Sequence, residues 1–189
     1  TFIITVVTIS QAYGACGAKQ GVPVINASIS AGDQELYRTY PNFLYSPALI
    51  NLNREQLLLL QTLHAGGPLS SKTKVGVVIA GNDPSYQRVY DTTVNPTLTS
   101  YGVPHESYVI TQQSDIQGAL LRFIQVGVTL VDFIAPNGVS EVLFMNAAEQ
   151  QQYRPVYGLG DSSAPWFVAS GAPKNQIKER VQEAAKILG

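Results

Sequence analysis

Charge is scarce in this chain. Asp, Glu, Lys and Arg make up 13% of its 189 residues, about half the ~25% of an average soluble domain. The net charge is -1 and no basic run occurs, so the electrostatic footprint of a phosphate-backbone partner is missing and no nucleic-acid partner is expected. Cysteine is nearly absent. Cys16 stands alone, so no internal disulfide can form and cysteine usage does not identify the redox compartment. Its setting, Ala15-Cys16-Gly17-Ala18, reads as a tightly packed small-residue helix face with a buried structural thiol. No apolar run approaches the ~20 residues that cross a bilayer. The opening Thr1 to Val7 has neither basic flank nor cleavage pattern, so it is not a signal peptide. The chain starts without Met inside a β-branched run, which reads as a fragment or a processed product.

Catalytic apparatus is lacking too. There is no Gly-rich phosphate loop, no grouped Cys/His/Asp set and no metal-ligand spacing. Gly158-Leu159-Gly160 is not followed by a dinucleotide fingerprint. His64 sits at a helix end, where interaction with the helix dipole explains it, and His105 opens a strand after Pro104. An α/β enzyme is therefore not expected, nor is a cofactor, a metal or a catalytic residue.

What the chain does have is 45% hydrophobic residues arranged in alternating periods. Short, nearly all-apolar runs read as strands covered on both faces, and runs with a 3.6-residue period read as helices between them. Strands are predicted at Phe2 to Val7, Val22 to Ile25, Lys74 to Ala80, Glu106 to Ile110, Thr129 to Ala135 and Pro155 to Leu159. Helices are predicted at Gln11 to Gln20, Asn51 to His64, Ser85 to Ser100, Ile116 to Gln125, Gly138 to Gln152 and Lys174 to Leu188. Asn82-Asp83-Pro84 supplies a cap and a first-turn proline, Ser114-Asp115 a second cap, and Gly127 a stop. Pro96 should kink its helix. The pattern fails over residues 28–50, which read as an irregular connection.

Strand–helix alternation predicts an α/β chain of βαβ units with mainly parallel sheets in three αβα layers. The irregular stretch predicts two lobes, residues 1–48 and 49–189. The first would be incomplete, with two strands present and its missing strands before residue 1. A flavodoxin-like partner-binding domain would instead need one continuous sheet from residue 1 to 160. In open α/β sheets, ligands gather beyond the carboxyl ends of the strands. Here those ends carry hydroxyls, amides and one carboxylate, with no nucleophile paired to a base. That suits holding a solute unchanged.

Three segments resemble the type I periplasmic-binding family, specifically the branched-chain amino-acid receptors of ABC importers. They are Thr8-Ile9-Ser10-Gln11-Ala12 with Gly21-Val22-Pro23-Val24-Ile25-Asn26-Ala27-Ser28, Lys74 to Tyr86, and Thr129-Leu130-Val131-Asp132-Phe133 with Tyr153-Arg154-Pro155-Val156-Tyr157-Gly158. The likeness runs over roughly residues 1 to 170. It implies a bilobal fold closing on a solute, an amino acid or similar small carboxylate, held for a membrane permease in a periplasmic or cell-surface setting. It also implies sites. Thr8 and Ser10 match first-lobe hydroxyls that meet the solute carboxylate, and Ser28 and Ser30 match the second such turn. Hydroxyls and N–H groups at a helix start favour a carboxylate, although plain N-capping equally explains Ser10 and Ser28. Tyr86 matches a cleft-edge tyrosine, with ordinary packing beside Tyr90 as the other reading. Asn137 and Glu141 lie where the family places the acid that meets an ammonium, while Glu141 also suits helix-dipole complementation. Asp161 is a second candidate, or an Asx turn. Gln87 departs from the family's glycine, and the helix expected at Lys174 to Leu188 has no counterpart. A ligand-sensing domain of a receptor or regulator shares the fold and is the alternative.

Overall fold

The computed structural model describes residues 2–5, 12–26, 32–45, 51–135, 138–160, 165–177 and 181–183. They form an α/β chain with two separate, wholly parallel sheets. The first has the order β1 (Ile3–Thr5), β2 (Val24–Asn26), β3 (Phe43–Tyr45). The second has the order β5 (His105–Ile110), β4 (Val75–Ala80), β6 (Leu130–Ile134), β7 (Val156–Leu159), β8 (Val181–Glu183). Strands near the chain start thus never join those after residue 74, which removes the single continuous sheet.

In the first sheet, α1 (Ala12–Lys19) links β1 to β2, and α2 (Gln34–Thr39) links β2 to β3. Ala18, Val24 and Leu36 form its small core, with Ile3, Ala15 and Tyr40 packed against it. The Asn42 side-chain amide donates to the carbonyls of Ala18 and Val22, at 3.1 and 2.9 Å. Two sequence expectations fail here. The stretch expected to be irregular holds α2 and β3, so the sheet has a third strand. Six- and three-residue elements are too short to show a period. Cys16 is exposed rather than buried, because α1 buries the side carrying Ala18 and turns the thiol away from it.

The second sheet is covered on both faces, so β4 and β6 are buried along their whole length. One face packs Leu52, Leu59, Leu60 and Leu63 of α3 (Leu52–Ala65) with Tyr86, Val89 and Leu98. The other packs Ile116, Leu120 and Phe123 of α6 (Asp115–Val126) with Phe144 and Met145 of α7 (Val139–Gln150). Phe133 and Phe144 meet edge to face at 5.7 Å, a preferred aromatic geometry. Asp83 Oδ1 accepts from Ser85 N at 2.9 Å and Pro84 opens α4 (Pro84–Val89), as the sequence predicts. Between α4 and α5 (Asn95–Ser100) lies a π-helical turn, Tyr90–Val94. The disturbance expected from Pro96 takes this form: the wider turn lets the helix continue past a residue that cannot donate. Gly127 ends α6 in the left-handed region at φ 75°. Ser114 makes no capping bond through its side chain.

The tail differs from expectation. In place of one helix from Lys174 to Leu188 there is α9 (Lys174–Ile177), followed by β8 paired parallel to β7. A short helix, α8 (Pro165–Gly171), precedes them. Buried Gln176 anchors α9, accepting from Tyr157 Oη at 2.7 Å and donating to Glu149 Oε2 at 2.8 Å. Adding a strand to the sheet edge outweighs the local helical period. Both histidines are absorbed structurally, His64 stacked on Tyr101 at 4.1 Å and His105 within 2.8 Å of Asn95 Oδ1.

The two pieces of chain touch at the start of α2. Leu52 N donates to Gly32 O at 2.9 Å, Gln34 N to Asn53 Oδ1 at 2.8 Å, and Arg88 Nε to buried Asp33 Oδ2 at 2.7 Å.

Candidate solute site

The order β5-β4-β6-β7-β8 places the topological switch point at the carboxyl ends of the neighbours β4 and β6, with β5 beside β4. Crossovers leave these strands toward opposite faces, opening a crevice above the sheet. A cavity of about 360 Å³ lies there. Asn82 after β4, Thr111 and Gln112 after β5, and Ser140 at the start of α7 bring polar groups to it, and Ile110 and Leu143 bring apolar surface. Among the described residues no charged side chain lines it. One carboxylate shapes its rim from outside. Asp115 Oδ2 accepts from Thr111 N at 2.8 Å, Thr111 Oγ1 at 2.9 Å and Gln112 N at 3.1 Å. The Thr111 backbone bond foremost, with its companions, holds this carboxyl below its ordinary range. Asp115 is thus already engaged in fixing the β5–α6 turn.

Of the site residues predicted from sequence, Thr8, Ser10, Ser28, Ser30, Asn137 and Asp161 lie outside the described residues. Tyr86 and Glu141 are brought together behind the strand ends, 1% and 0% exposed. The Tyr86 ring belongs to the core with Leu52 and Val89, and its hydroxyl has no hydrogen-bond partner among the described residues. Burial raises its pKa above the ordinary phenol value, and the charges of Asp83, Glu141 and Glu55 add to the effect. So the hydroxyl sits among three acids.

Sequence reasoning missed two of the buried polar residues in this region. Glu55 and Asp132 are 4% and 0% exposed. A Cβ on Gly160 would collide with Glu55 Oε1, so the end of β7 and the Glu55 carboxylate approach closely only because residue 160 is glycine. Both acids had a signal in the sequence. Glu55 lies three residues after Leu52 and four before Leu59, on the apolar face of its helix, and Asp132 interrupts an otherwise apolar strand. Among the described residues no group of three or more His, Cys, Asp or Glu is placed to hold a metal ion, and no helix is long and apolar enough to cross a membrane.

Two parallel sheets with αβα layering, and a crevice at the strand ends, define the fold class of the periplasmic solute-binding proteins. No protein-family pattern matches the sequence, and no curated protein does. Among solved structures, the chain is similar to a solute-binding protein of an ABC transporter from Rhodopseudomonas palustris BisB5 in complex with 3,4-dihydroxybenzoic acid, at TM-score 0.62 and 13% identity over 82% of this chain and 42% of that one. A branched-chain amino-acid ABC transporter protein from Thermus thermophilus with bound valine matches at TM-score 0.61 and 16% identity, over 82% and 39%. A second solute-binding protein from R. palustris, in complex with 4-hydroxybenzoate, matches at TM-score 0.62 and 12% identity, over 82% and 42%. At such identities the likeness is one of fold, and the chain spans about two fifths of the length of these structures.

Proposed function

We propose that this chain is part of an extracytoplasmic solute-binding protein that delivers a small carboxylate, an amino acid or a related acid, to the membrane permease of an ABC importer. The observation that carries this reading is the cavity at the switch point, lined among the described residues by amides, hydroxyls and aliphatic carbons and by no charged side chain. Such a lining orients a small polar solute by hydrogen bonds, and it pairs no nucleophile with a base, so binding without chemistry is its natural use. The fold is shared with proteins that hold valine and hydroxybenzoates. On this reading Thr8, Ser10, Ser28 and Ser30 receive the solute carboxylate and Asn137 and Asp161 serve its other end, while Tyr86 and Glu141, 1% and 0% exposed, do not touch it. A periplasmic or cell-surface setting follows from the same reading.

Titration calorimetry against a panel of amino acids, hydroxybenzoates and sugars tests it. Binding of amino acids or aromatic acids is the expected result. Binding confined to sugars, or turnover of an ester, amide or phosphate, contradicts the proposal.

A further inference from the structure

Among the described residues, the buried charged side chains are Asp33, Glu55, Asp83, Asp132 and Glu141, and no Lys, Arg or His is buried with them. Asp33 has Arg88 as its counter-ion. Asp132 has no such relief. It stands on β6 between Val77 of β4 and Gly158 of β7, 0% exposed. Its Oδ1 accepts from Phe133 N at 2.9 Å, while Oδ2 has no hydrogen-bond partner among the described residues. Leu59 and Leu63 of α3 close over Gly158 beside this carboxyl. Gln56 of the same helix, 0% exposed, donates from Nε2 to Phe133 O at 3.1 Å, and its Oε1 is likewise without a partner.

An unpaired carboxylate in such surroundings loses its hydration with nothing to replace it, so the uncharged acid is the form that fits. The buried titratable groups of the surrounding elements are Glu55 from α3, Asp83 and Tyr86 at the start of α4, and Glu141 at the start of α7; β4 and β7 present Val77 and Gly158. None of these supplies positive charge, and the cations of α3 and α4, Arg54, His64 and Arg88, are exposed. Burial, opposed by the Phe133 N–H and reinforced by the Glu55 charge, pushes the Asp132 carboxyl up to about 8.

We propose that Asp132 is a proton-operated latch: as the uncharged acid it packs between α3 and the β6–β7 pair, and on losing its proton it loosens α3. That helix also carries Leu52 and Asn53, which hold Gly32 and Gln34, so the latch acts on the element that ties the two pieces of chain together. The folded chain binds this proton more tightly than the unfolded chain does. Stability from the acid form is therefore complete below the ordinary carboxyl range, falls as the pH rises to about 8, and is flat beyond.

Thermal unfolding of the full chain and of Asp132→Asn, from about pH 5 to about pH 9, tests the latch. The amide keeps the shape and cannot ionise. The expected result is a Tm that falls with pH in the wild type by about 5 °C or more beyond any fall in the variant. Parallel curves, or an equal loss in the variant at every pH, overturn the proposal. A carboxyl carbon-13 titration of wild-type Asp132 decides the matter if the variant does not fold. A midpoint near 8 supports the latch, and one in the ordinary carboxylate range sinks it.

Discussion

The two sheets of this chain are built from the same βαβ grammar at very different depths. The first has three strands of three residues each and a core of Ala18, Val24 and Leu36. The second has strands of up to six residues and a packed cluster on each face, with Phe123, Phe133, Phe144 and Tyr157 all fully buried. Since apolar burial is the main stabilising term and amounts to ~25 cal/mol per Å², the described core of the second sheet contributes more of it than the described core of the first. The difference also separates roles. A deep core can tolerate buried acids such as Asp132 and Glu141, whereas a shallow one depends on polar stitching, such as Asp33 to Arg88.

The comparison breaks most readily in the deep sheet. Phe133→Ala removes a side chain that touches both Phe144 and Tyr157, with an expected loss of about 3–5 kcal/mol in denaturant unfolding. Val24→Ala, also 0% exposed, should cost about 1–2 kcal/mol, because fewer methyl groups leave and fewer neighbours surround them. It should lower hydrogen-exchange protection in residues 12–45 and leave residues 75–135 unchanged. Equal losses at the two positions would show that the sheets do not differ in depth. The stitch between them comes third. Arg88→Ala leaves Asp33 buried without its counter-ion; with the Arg88 side chain 44% exposed, solvent screening keeps the expected loss to about 1–2 kcal/mol, seen first as faster exchange at Leu36 N.

Legibility followed the length of each element and how local its contacts are. Val75 to Ala80 with Asn82-Asp83-Pro84 was readable because six apolar residues in a row and a capped first-turn proline admit few other structures. Gly127 was readable because a helix end in the left-handed region favours glycine. By contrast, α2 and β3 are shorter than the periods used to detect them, and β8 overrides a helical pattern by joining a sheet edge that no local window contains. Cys16 was misjudged because small residues do not reveal which side of a helix faces inward. At the site, the polar strand ends at Asn82, Thr111 and Gln112 were visible in the sequence as ends. Their convergence on one cavity was not, because it depends on the strand order. Tyr86 and Glu141, 55 residues apart in numbering, meet only in the fold.

The most direct test of the central claim is amide NMR mapping of the chain during titration with valine, leucine and 4-hydroxybenzoate. The account predicts shifts concentrated at Asn82, Thr111, Gln112 and Ser140, on the crevice above β4 and β5. Shifts confined to a different surface, or none with any of the three solutes, would contradict it.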